Sequence, residues 1–432
     1  MTSQEKIKDG HLKPEVAKTE GTLPVFGQDI RKEFMLREGS VFLNHGSYGS
    51  MPKCVHDRQV RYLIELEEHP DIWFRYNMYK YLDTAIETVA GFMGVKKEDT
   101  FMLQNVTKAA NTVLKTFPLN AGDGVLVNTL TYGAVNVATR VTTKAIEGAM
   151  TYSFNIDFPI TSEDEIVAKY DEYLVEHPDV KLVIVDHITS PTAIVMPVKK
   201  IVEVCHKHGK VVFVDAAHIP GQIEVDIVDL DADFYAGNLH KWVFCPRSSA
   251  FIWRNPNRPH AWFKPLVTSA FEHSGIHEAF AYEGTKDDIP YLCAVDGINF
   301  LRRLGGVERI RAYCIPLLKK GMAYLEEKWG TKRLDIPENL RSPYQCMIEV
   351  PFIRGFSEID VEHSISGVFK GHNLVLQKLI LEEYDVQIAV VFMDNKLMVR
   401  VSVAVYNTMG DFEKLAEAVL DLARKRNERN EI

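Results

Sequence analysis

The sequence predicts an α/β fold: a mostly parallel sheet flanked by helices in a large domain, followed by a smaller α+β domain. Short apolar runs, such as VVFV at residues 211–214, are typical of strands buried on both faces. Between residues 100 and 215 these runs alternate with helical segments, as in right-handed crossovers between parallel strands. A chain of 432 residues, of which 46% are hydrophobic, is also long enough for a large core and a second, smaller domain.

The individual elements follow from apolar runs bounded by turn-forming residues. The polar residues 1–25 predict a flexible N-terminal extension. Residues 26–300 are predicted to form the large domain, and residues 301–432 the small C-terminal domain. Strands are predicted at residues 101–104, 125–128, 151–154, 181–186, 211–214, 345–350 and 397–405. Helices are predicted at residues 53–92, 108–117, 134–146, 198–208, 292–304 and 411–426.

Composition and charge narrow the class of protein. The formal net charge of −9 argues against nucleic acid or an anionic membrane as the main partner. No apolar run reaches the ~18 residues that a membrane span requires, and the polar N-terminus lacks the hydrophobic segment of a secretory signal. The six cysteines lack metal-ligand spacing and are typical of a reducing compartment, so we expect a cytoplasmic protein without a metal site.

Asp215 and Lys241 are the first candidates for catalysis. Asp215 ends the predicted strand at residues 211–214, and an open α/β sheet binds its ligands outside the carboxyl ends of the strands. Lys241 follows 26 positions later (241 − 215 = 26), after a second apolar run at residues 234–236. Pyridoxal phosphate requires a lysine amine for its Schiff base and an acid beside its ring nitrogen. The pair therefore predicts a site for this cofactor.

The stretch from residue 215 to residue 242, DAAHIPGQIEVDIVDLDADFYAGNLHKW, resembles the core of the class V aminotransferases. The similarity extends over residues 40–410 and is greatest to the branch of isopenicillin-N epimerase-like proteins and hercynylcysteine sulfoxide lyases. It implies a fold-type-I pyridoxal phosphate enzyme that acts on a small-molecule amino acid. It also implies a homodimer whose active site is shared between the two chains.

The phosphate of the cofactor has candidate contacts at a predicted helix start. Free N–H groups and the helix dipole favour an anion there, although Asn and Thr are also ordinary helix caps. The resemblance implies phosphate contacts at Asn105, Val106, Thr107, Asn238 and His240.

A second chain is implied by Gly284 and Thr285. The resemblance implies that this pair reaches across the dimer to the phosphate held by the partner. From the residues alone, the pair predicts only a turn.

Three further residues are candidates for contacts with the cofactor ring. Tyr132 stands where cysteine desulfurases carry a stacking His, and a tyrosine offers both a ring face and a phenol that can transfer a proton. His218 stands where desulfurases carry a Gln, and Ser190 lies where the family has a polar side chain near the ring oxygen. From the residues alone, a packed tyrosine, a structural histidine and a loop hydroxyl stay open as alternatives.

Asn44, His45 and Arg400 are candidates for binding the substrate. Asn44 and His45 begin the segment NHGS, which predicts either close approach to an amino acid or a tight turn; the resemblance favours the first. Arg400 lies in a predicted strand, where a buried arginine needs a partner: the carboxylate of the substrate or an ion pair within the domain. Arg75 is a further candidate for an anion contact.

Together these residues predict chemistry at the α-carbon of an amino acid. Lys241 would remove the α-proton and Tyr132 would protonate a departing sulfur group, which favours a C–S lyase acting by β-elimination on a cysteine derivative such as hercynylcysteine sulfoxide, in ergothioneine biosynthesis, or cysteine. The main alternative is an epimerase of the isopenicillin-N epimerase type. Transamination and a non-catalytic scaffold that binds pyridoxal phosphate also stay open. A persulfide mechanism is disfavoured, because residues 371–396 contain no cysteine and Cys346 falls in a predicted strand.

Overall fold

The structure is a computed structural model that describes residues 23–271, 273–357, 372–393 and 396–428. Most of the predicted N-terminal extension, residues 1–22, lies outside the described residues. The strands are β1 (Val41–Phe42), β2 (Thr100–Leu103), β3 (Gly124–Asn128), β4 (Met150–Phe154), β5 (Val180–Asp186), β6 (Val211–Asp215), β7 (Phe234–Asn238), β8 (Ala250–Arg254), β9 (Gln345–Glu349), β10 (Val386–Gln387), β11 (Ala389–Met393) and β12 (Lys396–Ser402).

The α-helices of the described residues lie between and around these strands. They are α1 (Gln28–Arg31), α2 (His45–Tyr48), α3 (Lys53–Glu68), α4 (Pro70–Ile72), α5 (Met78–Met93), α6 (Val106–Thr116), α7 (Gly133–Lys144), α8 (Glu163–Glu176), α9 (Val198–Lys207), α10 (Ile227–Leu230), α11 (Ile276–Ala281), α12 (Ile289–Leu292), α13 (Ala294–Arg303), α14 (Gly306–Trp329), α15 (His372–Tyr384) and α16 (Met409–Glu428). A π-helical turn, Trp73–Asn77, joins α4 to α5. None of the described helices is long and apolar enough to span a membrane.

Seven strands form the main sheet, in the order β2-β8-β7-β6-β5-β3-β4. Neighbouring strands are parallel except around β8, which is antiparallel to both β2 and β7. Helices α7, α8 and α9 connect the parallel strands β3, β4, β5 and β6 in chain order. The predicted fold class is thus confirmed, although the sequence analysis did not predict β8.

The central strands are buried on both faces, as their continuous apolar runs predicted. Successive side chains of a strand point to opposite faces. Val183, Val185, Val212 and Val214 pack into one core cluster. Leu182, Ile184 and Phe213 pack into the other.

The carboxyl ends of the parallel strands meet at one edge of the sheet. Asp186 at the end of β5 pairs in register with Asp215 at the end of β6. The next strand, β7, ends at Asn238, three residues before Lys241, and β2 ends two residues before Asn105. The topology therefore gathers these polar side chains at the same edge.

The C-terminal part contains a three-stranded antiparallel sheet in the order β11-β12-β9, with Arg400 in its central strand. The predicted strand at residues 397–405 ends at Ser402. There the main chain leaves the ladder, since the N–H of Ser402 donates to Leu43 and that of Val403 donates to Tyr344. The small sheet is therefore joined directly to the loop that follows β1.

Helix α14 was not among the predicted helices, the nearest of which ends at residue 304. Gly305 instead caps the helix at a φ of 94°, and Pro316 lies on its exposed side. The buried side of α14, including Leu318 and Met322, packs into the core and overrides the local signals. The division into domains at residue 300 stays a prediction.

Candidate active site

A cavity of about 400 Å³ opens at the carboxyl edge of the seven-stranded sheet. Most of the predicted site residues line it: Asn105, Val106, Thr107, Tyr132, Ser190, Asp215, His218, Asn238, His240, Lys241 and Arg400. A more apolar cavity of about 330 Å³, beside α5 and α11, contains none of them. The first cavity is therefore the candidate active site.

Lys241 is buried at the wall of this cavity, with its Nζ 2.9 Å from Nε2 of His218. Burial, together with the positive charge of Arg400, lowers the pKa of Lys241 to about 7. The pKa of His218 lies well below its ordinary value, chiefly because of burial, so its imidazole is neutral. A lysine in this setting supplies a free, nucleophilic amine near neutral pH.

His45 does not face the cavity, in contrast to the sequence expectation. Its ring is fully buried; Nε2–H donates to the carbonyl oxygen of Lys241 at 2.7 Å, and Nδ1 accepts from the hydroxyl of Tyr406 at 2.6 Å. Burial lowers the pKa of His45 to about 4, which keeps the imidazole neutral as these two hydrogen bonds require. His45 thus fixes the main chain of Lys241 and leaves no ring nitrogen for a substrate.

Asp215 is buried, and its Oδ1 accepts the N–H of Ala217 at 3.0 Å. Burial raises the pKa of Asp215 to about 6, even though the charge of Lys241 acts in the opposite direction. The surrounding protein therefore does not fully compensate this carboxylate. The protonated ring nitrogen of pyridoxal phosphate, if bound beside Asp215, would supply the missing positive charge.

The start of α6 forms another part of the wall. The side chain of Asn105 accepts the N–H of Lys108 at 2.8 Å, and Oδ1 of Asn238 accepts the N–H of Val106 at 3.1 Å. Asn105 is thus a helix cap and a cavity residue at once, so its two interpretations are compatible. Thr107 completes the helix start on the cavity side.

His240 lies near the same end of the cavity. Its Nδ1–H donates to the carbonyl oxygen of Ser249 at 3.0 Å, and burial lowers its pKa to about 4. Its Nε2 is therefore an acceptor in the free protein. A phosphate beside this nitrogen would favour its protonation, because an adjacent anion stabilises the imidazolium.

Arg400 is a buried cation whose contacts in the described residues are all with neutral groups. It donates to the carbonyl oxygen of Ser190, to Oγ of Ser47 at 2.7 Å, and to Oδ1 of Asn44 at 3.3 Å. Its Nε is buried and has no hydrogen-bond partner in the part of the chain that the structure describes. Burial lowers the pKa of Arg400 to about 10, so it stays charged at neutral pH. Arg400 thus forms no ion pair with the described residues, which was the alternative to binding the carboxylate of the substrate.

Asn44 also differs from expectation, because it lies behind Arg400 and outside the cavity wall. Its Oδ1 accepts from Arg400 and from the hydroxyl of Ser47, at 2.7 Å in the second case. Asn44 therefore orients the guanidinium, and Ser47 is the residue of this loop that lines the cavity.

Tyr132 is the residue immediately before α7, with a side chain 42% exposed at the cavity wall. Its main-chain N–H donates to Oδ1 of Asp186 at 3.2 Å. Partial burial raises the pKa of Tyr132, so the phenol keeps its proton at neutral pH. A protonated phenol in this position is able to act as an acid.

Gly284, Thr285 and Arg75 lie outside the wall of the cavity. Glu283, next to Gly284, forms an ion pair with Lys108 of α6, close to the start of that helix. Arg75 is exposed and pairs with Asp71 at 2.9 Å within its own helical segment. In this single chain, none of the three contributes to the site.

Several lining residues were missed by the sequence analysis: Ser47, Tyr48, Asp186, Arg247 and Ser248. Asp186 had a usable signal, because it ends an apolar strand just as Asp215 does. Ser248 has a φ of 71°, a strained conformation that the sequence does not reveal, and Arg247 beside it donates to the carbonyl oxygen of Gly49 at 3.1 Å. Tyr48 is exposed at the cavity mouth.

Comparison with known proteins identifies the family. The sequence profile of the class V aminotransferases matches residues 49–415, and the chain belongs to this family. Putative L-cysteine desulfhydrase 1 of Oryza sativa subsp. japonica is 30% identical, over 90% of this chain and 85% of its own. Hercynylcysteine sulfoxide lyase of Schizosaccharomyces pombe is 25% identical, over 92% of this chain and 98% of its own. The predicted family is confirmed.

Solved structures show the same fold. The cystine C-S lyase C-DES, in complex with its reaction product cysteine persulfide, has a TM-score of 0.71 at 19% identity, over 89% of this chain and 98% of that chain. A cysteine desulfurase from Thermococcus onnurineus NA1 has a TM-score of 0.70 at 18% identity, over 92% and 98%. Both therefore confirm the predicted fold class.

The residues of the cavity fit pyridoxal phosphate, the cofactor that the sequence implies. Lys241 supplies the amine and Asp215 the acid that lacks a full counter-charge. Nδ1 of His218 is buried without a hydrogen-bond partner in the described residues, which leaves a polar contact for the ring. Thr107 and His240 line the helix-start end, where a phosphate is favoured.

Proposed function

We propose that this chain is a pyridoxal-phosphate-dependent C–S lyase, which acts by β-elimination on a cysteine derivative such as L-cysteine or hercynylcysteine sulfoxide. The observation that carries the proposal is the set of groups around one cavity: a lysine base, a buried arginine with no anionic partner among the described residues, and a protonated phenol. The names of the L-cysteine desulfhydrase and hercynylcysteine sulfoxide lyase relatives support the same reaction class.

Arg400 and Asp215 prepare the reaction. The guanidinium of Arg400, already oriented by Ser190 and Ser47, binds the carboxylate of the substrate as a two-pronged donor. Asp215 would keep the ring nitrogen of pyridoxal phosphate protonated, because a close cation would compensate its buried carboxylate. When bound, pyridoxal phosphate supplies an electron sink for negative charge at the α-carbon.

Lys241 and Tyr132 move the protons. The amine of Lys241 removes the α-proton, which its lowered pKa favours because the free amine is available near neutral pH. The phenol of Tyr132 donates a proton to the sulfur as the C–S bond breaks. With cysteine as substrate, the released enamine takes up water, so that cysteine and water give pyruvate, ammonia and hydrogen sulfide.

A persulfide mechanism is not supported, because it requires a thiol at the cavity. None of the six cysteines lines it. Cys346 lies in β9 as predicted, and burial raises its pKa to about 11, which disfavours the thiolate. In the proposed mechanism the departing sulfur is therefore protonated and is not transferred to a cysteine thiol.

The test is to incubate the holoprotein with L-cysteine and with hercynylcysteine sulfoxide, and to measure pyruvate and ammonia. Stoichiometric release of both is the expected result. A change of chirality at the α-carbon without pyruvate would indicate the epimerase. One relative bears that name: the isopenicillin N epimerase of Amycolatopsis lactamdurans is 28% identical, over 52% of this chain and 56% of its own. Inertness with every amino acid would indicate the scaffold alternative.

We also propose a homodimer in which Gly284 and Thr285 reach the phosphate held by the partner. Their position outside the cavity wall of their own chain supports this proposal. Inactive Lys241→Ala and Thr285→Ala chains should regain activity when they are mixed, since a hybrid dimer has one intact site. If the mixture stays inactive although hybrids form, the site is not shared.

The five buried free thiols also support a reducing, cytoplasmic location, which imaging of a fluorescent fusion would test.

A further inference from the structure

Asp186 is a buried acid at the cavity wall that the proposed mechanism does not use. It is the last residue of β5, and its Cα pairs in register with that of Asp215. Neighbouring strands lie about 4.8 Å apart, and residues in register point their side chains to the same face. The two carboxyl groups therefore stand side by side, and both line the cavity.

The two oxygens of Asp186 have different surroundings. Oδ1 accepts the main-chain N–H of Tyr132 at 3.2 Å. Oδ2 is buried and has no hydrogen-bond partner among the residues that the structure describes. Burial, and then the neighbouring charge of Asp215, raise the pKa of Asp186 well above its usual range. Its hydrogen bonds therefore do not fully compensate the burial of this carboxyl.

Such a group lowers the stability of a fold, and groups of this kind concentrate where function uses them. The carboxyl of Asp186 contacts the main chain of Tyr132, the acid of the proposed mechanism. The carbonyl oxygen of Tyr132 accepts the N–H groups of Val135 and Asn136 and so begins α7. Because the Tyr132 side chain is 42% exposed, packing alone does little to fix it.

We propose that Asp186 is a positioning residue, which holds Tyr132 at the cofactor site by accepting its main-chain N–H. This inference rests on the proposed function, because that function makes Tyr132 the acid. The titratable groups that face Asp186 are Asp215 of β6, Lys241 after β7 and Tyr170 of α8.

Kinetics test whether Asp186 acts through Tyr132. Asparagine has the shape of a protonated aspartate and keeps the acceptor oxygen, so Asp186→Asn should retain kcat within about twofold, whereas Asp186→Ala should lower kcat about tenfold at unchanged KM. In a Tyr132→Phe background, Asp186→Ala should cost less than about twofold, because the hydroxyl that it positions is already gone. An equal loss in both backgrounds would overturn the proposal.

Melting of the apoprotein tests the unpaired acid without any catalysis. Since the folded pKa of Asp186 is raised, ionisation costs stability above the unfolded pKa, and the cost grows with pH. Asp186→Asn should therefore raise Tm at pH 8, with a gain that shrinks towards pH 5. The matched control is Asp233→Asn, which should lower Tm: Asp233 is also buried but is bonded to His206 and His260, and its pKa is lowered to about 2. A lower Tm for Asp186→Asn at every pH would overturn the assignment.

A spectroscopic readout separates this inference from the lyase proposal. If the lyase proposal is wrong, no variant releases pyruvate from L-cysteine, but visible circular dichroism of the bound cofactor still reports the position of Tyr132. The band should change in Asp186→Ala and in Tyr132→Phe but not in Asp186→Asn. Identical bands in wild type and Asp186→Ala would show that Asp186 positions nothing near the ring.

Discussion

Arg400→Lys is the substitution that tests the carboxylate site most directly. The guanidinium of Arg400 already contacts three neutral partners, and its charge is uncompensated in the described residues. A lysine keeps the positive charge but donates to a carboxylate from one point in place of two. Loss of one charge-assisted hydrogen bond corresponds to about 2 kcal/mol, or about a 30-fold lower kcat/KM.

The assay is pyruvate release from L-cysteine, with the visible absorbance of the bound cofactor as a measure of site integrity. The absorbance should be unchanged, because Arg400 is assigned to the substrate. Arg341→Lys is a matched control, since Arg341 also donates to carbonyl oxygens, those of Leu334 and Ile336, but lies outside this cavity. A kcat/KM for Arg400→Lys within twofold of wild type would refute the reasoning.

Three further outcomes are expected. Tyr132→Phe should lower kcat about 100-fold with little change in KM, measured by pyruvate release; equal effects on both would make Tyr132 a stacking platform only. In the apoprotein, Lys241→Met should raise the free energy of unfolding by about 3 kcal/mol at pH 7, because burial lowers the pKa of Lys241 to about 7 and the unfolded chain binds the proton more tightly. The gain should disappear as pH rises towards the ordinary lysine pKa, and a pH-independent difference in denaturant unfolding would contradict it. Gly49→Ala should cost about 3 kcal/mol or more, because the added Cβ would lie 1.9 Å from the carbonyl oxygen of His240. Gly39→Ala, also at positive φ but with nothing within 4 Å, should cost only about 1 kcal/mol, and equal costs would exclude the clash as the cause.

The sequence predicted those parts of the site that depend on local pattern. Asp215 and Lys241 follow apolar runs whose burial on both faces is a property of the run itself. Because the two strands are parallel neighbours in the sheet, their carboxyl ends lie at the same edge. The fold class was predictable for the same reason, whereas the family was predicted from the resemblance of residues 215–242 to the class V aminotransferases.

What the sequence did not predict depends on contacts between distant residues. His45 reads as a substrate contact in a glycine-rich loop, but its role is decided by Tyr406, 361 positions away. The role of Asn44 is likewise decided by its hydrogen bond with Arg400, 356 positions away. Helix α14 forms because its buried face packs into the core, which outweighs the breaking tendency of Pro316.

In the proposed function, substrate recognition and bond-breaking are carried by two different sheets. Asp215 and Lys241 belong to the seven-stranded sheet and the loop that follows it, whereas Arg400 comes from the centre of the three-stranded sheet. Changes in the C-terminal part can thus alter which amino acid is accepted while the proton-transfer groups keep their places. An amine that lacks the carboxylate, such as cysteamine, would meet the same base but leave the guanidinium without an anion, and so should be rejected.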